Sequence, residues 1–273
     1  MILRETMKIN VLSLEGKELK KADLPSQFNE EIREDLVQRA VLALQANRRQ
    51  KYGADPEAGK RQSGDVSRRR RDYRGSYGKG ISRVPRKIFS IRGSHISWQG
   101  AFAPGTVGGR RSHPPKVEKN WDLKVNKKEN QKAIRCALSA VVNKDLVIAR
   151  GHKAPDNYPF IVESKIESVK KAKDFALALK ALGLQGEMKR TEDTSVRAGR
   201  GKTRGRRLKR KRGALIVVSD WCDLTKNQNI QGFDVVRVQE LNAEMLAPGG
   251  DLGRLTVFTE KALEKLAKYK MFI

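Results

Sequence analysis

The chain has 273 residues and a formal net charge of +27, from 58 Lys/Arg against 31 Asp/Glu, with 38% apolar residues. That length allows one large domain or two small ones, and so strong a basic excess points away from a typical soluble enzyme and toward a polyanionic partner. No apolar run approaches the ~20 residues that a membrane span needs.

Cys136 and Cys222 lie far apart in sequence, which suggests neither a disulfide framework nor a zinc site. Both are expected as small apolar side chains in core elements. The start of the chain shows no charged-then-apolar signal pattern, so an intracellular, reducing compartment is expected.

In chain order, Met7 to Leu14 reads as a strand ended by Glu15-Gly16. Asn29 is a candidate cap for a helix whose stripe is Ile32, Leu36, Ala40 and Leu44, with Arg48, Arg49 and Lys51 closing it and Gly53 stopping it. After a long polar stretch, Asn126-x-x-Glu129 resembles a capping box before a helix with Ile134, Leu138, Val141 and Val142 inward. Leu146 to Ala149 and Phe160 to Val162 are strand candidates, and Ser164-x-x-Glu167 reads as a capping box opening a helix that runs to Gly183. Ala214 to Val218 is a continuous apolar run, the signature of a strand buried on both faces. Val235 to Val238 and Leu255 to Phe258 look like further strands, and Thr259 caps a last helix with Leu263, Leu266 and Ala267 inward. Strands alternating with helices predict an α/β fold, a three-layer sandwich around a mainly parallel sheet.

The stretch from Tyr52 to Pro115 breaks this pattern. It has no leucine or methionine, holds 11 of the 23 glycines, and carries 14 Lys/Arg against four Asp/Glu. Too little apolar side chain is present to offset the entropy of ordering it into a core, which predicts an extended loop, disordered until bound. Fully extended, it would reach ~100 Å out and back, whereas a body of this size has a radius of gyration of ~16 Å. A second basic run, Lys189 to Gly213, has 12 Lys/Arg against two Asp/Glu. The two runs supply +20 of the charge, so a nearly ordinary globular body, residues 1–51 and 116–273, is expected to carry two cationic loops, 52–115 and 189–213.

Their chemistry suits RNA. Arg61, Arg68, Arg69, Arg70, Arg71, Arg74, Lys79, Arg83, Arg86, Lys87 and Arg92 are interleaved with Tyr52, Tyr73, Tyr77, Phe89, Trp98 and Phe102, and Arg110, Arg111 and His113 follow. Guanidinium groups bind phosphates bidentately and stack on bases, while aromatic rings stack on unpaired bases. In the second run Arg197, Arg200, Lys202, Arg204, Arg206, Arg207, Lys209 and Arg210 come without aromatics, a composition for phosphate contact. If ten of these cations neutralised phosphates, the logarithmic salt slope of binding would be roughly −7 to −9.

Enzyme signatures are weak. Gly201-Lys202-Thr203 imitates the end of a P-loop, but the required earlier glycine is Val196. The segment Gly75 to Gly80 lacks G-x-G-x-x-G spacing, and His95, His113 and His152 show no metal-ligand spacing. Asp220 and Asp223 follow a buried strand, as catalytic carboxylates sometimes do, but no partner base is identifiable. No catalytic residue, metal, cofactor or small-molecule substrate is implied.

Four stretches carry a family resemblance. They are Gln45-Ala-Asn-Arg-Arg-Gln50, Gly108-Gly-Arg-Arg-Ser-His-Pro-Pro-Lys116, Ala198-Gly-Arg-Gly-Lys-Thr-Arg-Gly-Arg207 and Ala247-Pro-Gly-Gly-Asp-Leu-Gly-Arg-Leu-Thr-Val-Phe-Thr-Glu260. In order and spacing the chain resembles the large-subunit ribosomal protein L-four family in its archaeal form, over essentially its whole length. The resemblance implies a cytoplasmic, ribosome-bound protein with a globular α/β domain on the solvent side of the subunit. Its long loop would penetrate 23S-type rRNA and help line the nascent-peptide exit tunnel beside protein L-twenty-two. It places the tunnel-proximal tip within Arg68 to Arg86, at Arg71, Tyr73, Tyr77, Lys79 and Arg83, and sets Arg48, Arg49, Arg110, Arg111 and His113 against rRNA helices. A general nucleic-acid-binding or chromatin-type protein shares the charge pattern and stands as the alternative.

Overall fold

The structure, a computed structural model, describes residues 7–226 and 229–273. The chain divides into two compact units: Arg48–Trp121 forms one, and the segments on either side of it form the other, the body.

In the body, β1 (Lys8–Leu12) and β2 (Glu18–Asp23) form an antiparallel pair, followed by α1 (Glu34–Asn47). The insert contributes β3 (Arg86–Arg92) and β4 (His95–Gly100). The body resumes with α2 (Lys127–Val142), α3 (Lys144–Ala149), β5 (Phe160–Val162), α4 (Ala172–Ala181) and α5 (Gln185–Glu192). Then come β6 (Thr194–Val196), β7 (Leu208–Arg210), β8 (Leu215–Val218), α6 (Asp223–Lys226) and β9 (Asp234–Arg237). The chain closes with α7 (Ala243–Leu246), β10 (Thr256–Thr259) and α8 (Glu260–Lys268).

The main sheet has the order β2-β1-β5-β10-β8-β9 and is parallel except for β2 at its edge. Its central strands β5, β8 and β10 are buried along their whole length because both faces are covered, while the edge strand β2 is largely exposed. Alternate residues serve opposite sides. Val11, Ile161, Val217 and Phe258 join a cluster with α1, α2, α7 and α8, while Leu12, Val162, Ile216 and Val257 join a second with α4. This is the predicted three-layer α/β sandwich.

Several local expectations change. Leu146 to Ala149 belongs to helix α3, capped by Asn143, whose Oδ1 accepts from the Asp145 N–H at 3.0 Å; a four-residue apolar run does not distinguish strand from helix. The first long helix starts at Glu34 rather than beside Asn29, and its buried face is Val37, Ala40, Val41 and Ala43. Val142 is only half-buried and Ala267 is exposed. Ser164 opens a short 3-10 turn, Ser164–Ser168, and the following helix is separate. Cys136 is buried and Cys222 half-buried.

Candidate nucleic-acid interface

The insert is ordered by means other than a core. No residue of Arg48–Trp121 joins either apolar cluster of the body, and the unit's own buried apolar side chains are Ala101 and Ala103. Its outgoing and returning strands instead lie close enough to share backbone hydrogen bonds: Ala54 N–H to Pro115 O (3.0 Å), Arg86 N–H to Asp65 O (3.0 Å), Ala101 N–H to Pro85 O (2.8 Å). Gly59 permits this approach. It has φ +73°, and a Cβ there would fall 2.5 Å from the Arg110 backbone nitrogen.

The expectation of a structureless loop is corrected here, because β3 and β4 form an antiparallel hairpin. Alternating Ile88, Ile91, Ile96 and Trp98 suit a pleated ribbon, and Gly93-Ser94 between paired Arg92 and His95 is a two-residue turn led by a positive-φ glycine. A register shift between Ile88 and Ser90 coincides with Phe89, which stands exposed.

Around this hairpin the structure gathers the predicted residues into cation–ring pairs. The Arg83 guanidinium lies 4.8 Å from the Tyr77 ring, and Lys79 and Arg86 lie 5.2 and 5.3 Å from Trp98. Arg74 sits 5.5 Å from Tyr73, whose hydroxyl donates to Gly93 O at 3.0 Å, and Arg110 sits 5.9 Å from Phe102. Lys87 lies 5.6 Å from Phe89. Arg71 and Arg74 adopt positive φ (68° and 70°), a conformation costing each about 1–2 kcal/mol. Arg68, Arg69, Arg70, Arg71 and Arg92 are exposed. Arg61 differs: it is ion-paired to Asp55 (2.5 Å) and Glu57 (3.5 Å) within the insert.

Nearer the neck, Arg49 stacks 3.7 Å from the centre of the Trp121 ring, and Tyr52 lies parallel to that ring at 5.9 Å and 19°. Lys119 approaches the same indole at 4.2 Å. Trp121 and Lys119 lie beyond the expected loop boundary at Pro115 and are not among the expected site residues; a single tryptophan in a polar segment is the available signal. Arg48, Lys51, Arg111 and His113 are exposed in the same unit.

The second basic run is a hairpin of the body. Strands β6 and β7 pair antiparallel with every side chain exposed, and Lys202–Arg204 forms a 3-10 turn at the far end. The P-loop-like Gly201-Lys202-Thr203 therefore lies in an exposed hairpin turn, not between a strand and a helix. Arg200, Lys202, Arg204, Arg206, Arg207, Lys209 and Arg210 point their charge at solvent, while Arg197 Nε donates back to Arg206 O at 3.1 Å.

The stem of this hairpin is fixed to the core by buried charge. Arg190 donates to Glu187 (Nη2–Oε1 2.6 Å, Nε–Oε2 2.8 Å) and to Arg212 O at 2.5 Å. His152 Nδ1 sits 2.7 Å from Glu187 Oε1, and Lys153 N–H donates to Oε2 at 3.0 Å. Burial alone would raise the Glu187 pKa; the hydrogen bonds from Arg190, His152 and Lys153 outweigh it and bring the carboxyl down to about 2. Across the stem, buried Arg254 donates to Gly213 O (3.0 Å), Met245 O (2.8 Å) and the Asp234 carboxylate.

The carboxyl ends of parallel strands, where α/β sheets usually take ligands, are filled from within. Buried Glu167 accepts from Ser219 N–H (2.9 Å), Ser219 Oγ (2.7 Å) and Thr259 Oγ1 (2.6 Å). Asp220 is held by Lys265 at 2.7 Å, which keeps its carboxyl below the usual range, and Asp223 pairs with Lys226 at 3.6 Å.

Comparison with known proteins agrees with this picture. Residues 22–269 match the model of the ribosomal protein L4/L1 family. The chain is 43% identical over 268 residues to the large ribosomal subunit protein uL4 of Nanoarchaeum equitans, covering 97% of this chain and all of that protein. It is 41% identical to the same-named protein of Archaeoglobus fulgidus (96% of this chain, 99% of that one) and 42% identical to that of Methanocaldococcus jannaschii (95% and 98%).

Proposed function

Because the chain belongs to the ribosomal protein L4/L1 family, we propose that it is a structural protein of the large ribosomal subunit that binds 23S-type rRNA through two cationic elements. These are the insert Arg48–Trp121 and the β6–β7 hairpin. The tip of the insert, around Arg71, Tyr73, Tyr77, Lys79 and Arg83, lines part of the nascent-peptide exit tunnel beside protein L-twenty-two. The body is the scaffold, and its binding supports assembly of the subunit in the cytoplasm.

The observation that carries this reading is the separation of roles within the chain. The body's two apolar clusters draw nothing from the insert, and the insert presents arginines beside aromatic rings. Such pairs suit a partner offering both phosphates and unstacked bases, which folded RNA does and duplex DNA does not.

Retention of transcribed large-subunit rRNA and of duplex DNA by the purified chain, compared across a salt series, tests the reading. Tighter binding to the rRNA at matched salt, with a steep salt slope, is expected. Equal affinity for both would favour the general nucleic-acid binder.

A further inference from the structure

We propose that the cleft beside Trp121 receives a single unstacked nucleotide of the bound RNA, its base on the Tyr52 and Trp121 rings and its phosphate on Arg111, His113 and Lys116. This rests on the rRNA-binding reading of the insert and adds to it a defined subsite.

The cleft has a volume of about 660 Å³, within the ~300–1,000 Å³ range of small-ligand sites, and is lined by Tyr52, Arg111, His113, Lys116, Lys119 and Trp121, among others. Two of its lining rings, Tyr52 and Trp121, lie near-parallel. The lining also carries Arg111, Lys116 and Lys119, with Glu118 the one carboxylate among the lining residues. Aromatic rings together with positive charge are the combination that stacks a base while holding its phosphate. A simple latch for the neck of the insert would need the rings but not the cationic cleft.

Two further observations concern Trp121 itself. The Trp121 Nε1–H is shielded from solvent and has no acceptor, and a buried donor left unpaired calls for an explanation. Arg49 and Lys119 approach the indole at 3.7 and 4.2 Å. A planar guanidinium stacks on an aromatic ring much as a base does. Phosphates are its stronger, charge-assisted partners, so RNA draws Arg49 onto the backbone and leaves the indole to a base.

The test uses the full chain with Trp98→Phe and Trp221→Phe, so that Trp121 is the sole indole. Saturating it with transcribed large-subunit rRNA, binding being followed separately by filter retention, is expected to quench the Trp121 emission. Adenosine monophosphate, carrying the same base and phosphate chemistry free in solution, is expected to quench only at millimolar concentration. In parallel, Trp121→Ala is expected to weaken rRNA binding about 5- to 100-fold at an unchanged salt slope, and Trp121→Phe to restore most of it. Unchanged emission on saturation, or wild-type affinity in Trp121→Ala, would overturn the subsite while leaving rRNA binding intact. Quenching by micromolar mononucleotide but not by rRNA would assign the cleft to a free nucleotide and overturn the proposal. Failure of the wild-type chain to bind rRNA would overturn the underlying reading as well.

Discussion

Glu187 shows how one carboxylate ties the core to the cationic β6–β7 hairpin. With its folded pKa near 2 against 4.5 ordinarily, its contribution to stability is fully present above about pH 5 and is lost as pH falls from 4.5 toward 2. A gap of that size corresponds to about 3 kcal/mol. Urea unfolding of the wild-type chain should therefore show stability declining across that acid window, and Glu187→Gln should flatten the decline while lowering stability at neutral pH. An equally steep acid decline in Glu187→Gln would show that other carboxylates govern it. Arg254 serves the opposite side of the stem. Arg254→Met leaves Gly213 O and Met245 O without their side-chain donor and Asp234 with Arg212 alone, and should cost about 2–4 kcal/mol in the same unfolding measurement. A cost below 1 kcal/mol would mean that water replaces the guanidinium.

At the scale of elements, the body strands were the easiest part to read. Leu215–Val218 and Phe160–Val162 are buried on both faces, so their apolar runs need no periodicity to stand out. Glu167 departs from the capping-box expectation because that pattern is local, whereas its carboxylate is used across the sheet by Ser219 and Thr259. The β3–β4 hairpin escaped for a different reason. Bulk composition argued against a core, and the hairpin needs none, being built from β-propensity, a Gly-Ser turn and paired backbone. The identities of the cations were fully legible; their pairing with particular rings was not, since it depends on how the insert folds back on itself.

Two predictions belong to these elements. Replacing residues 54–115 with a short Gly/Ser linker should leave a cooperatively unfolding body, because neither apolar cluster loses a member. A non-cooperative melt would contradict that independence. Changing Arg204, Arg206, Arg207, Lys209 and Arg210 together to alanine should reduce the salt slope of rRNA binding by several units without altering the melt, since all five are exposed. An unchanged slope would remove the β6–β7 hairpin from the interface.

For the whole molecule, the apolar core and the cationic excess occupy different residues. The sheet's carboxyl ends, which could have held a ligand, are occupied by Glu167 and by the Asp220–Lys265 pair, and the charge is concentrated in the insert and in the run Lys189 to Gly213. On the proposed reading the body is the anchor, and the shape of the RNA decides what the cationic segments contact. The most direct measurement of this is sedimentation of a lysate through a sucrose gradient after a high-salt wash, with quantitation of the chain in each fraction. Retention at one copy per large subunit is the predicted result, because an insert enclosed by rRNA, as proposed, would be held by that enclosure as well as by salt-sensitive charge. Release into the light fractions, or sedimentation with DNA, would contradict a role as an integral protein of the large subunit.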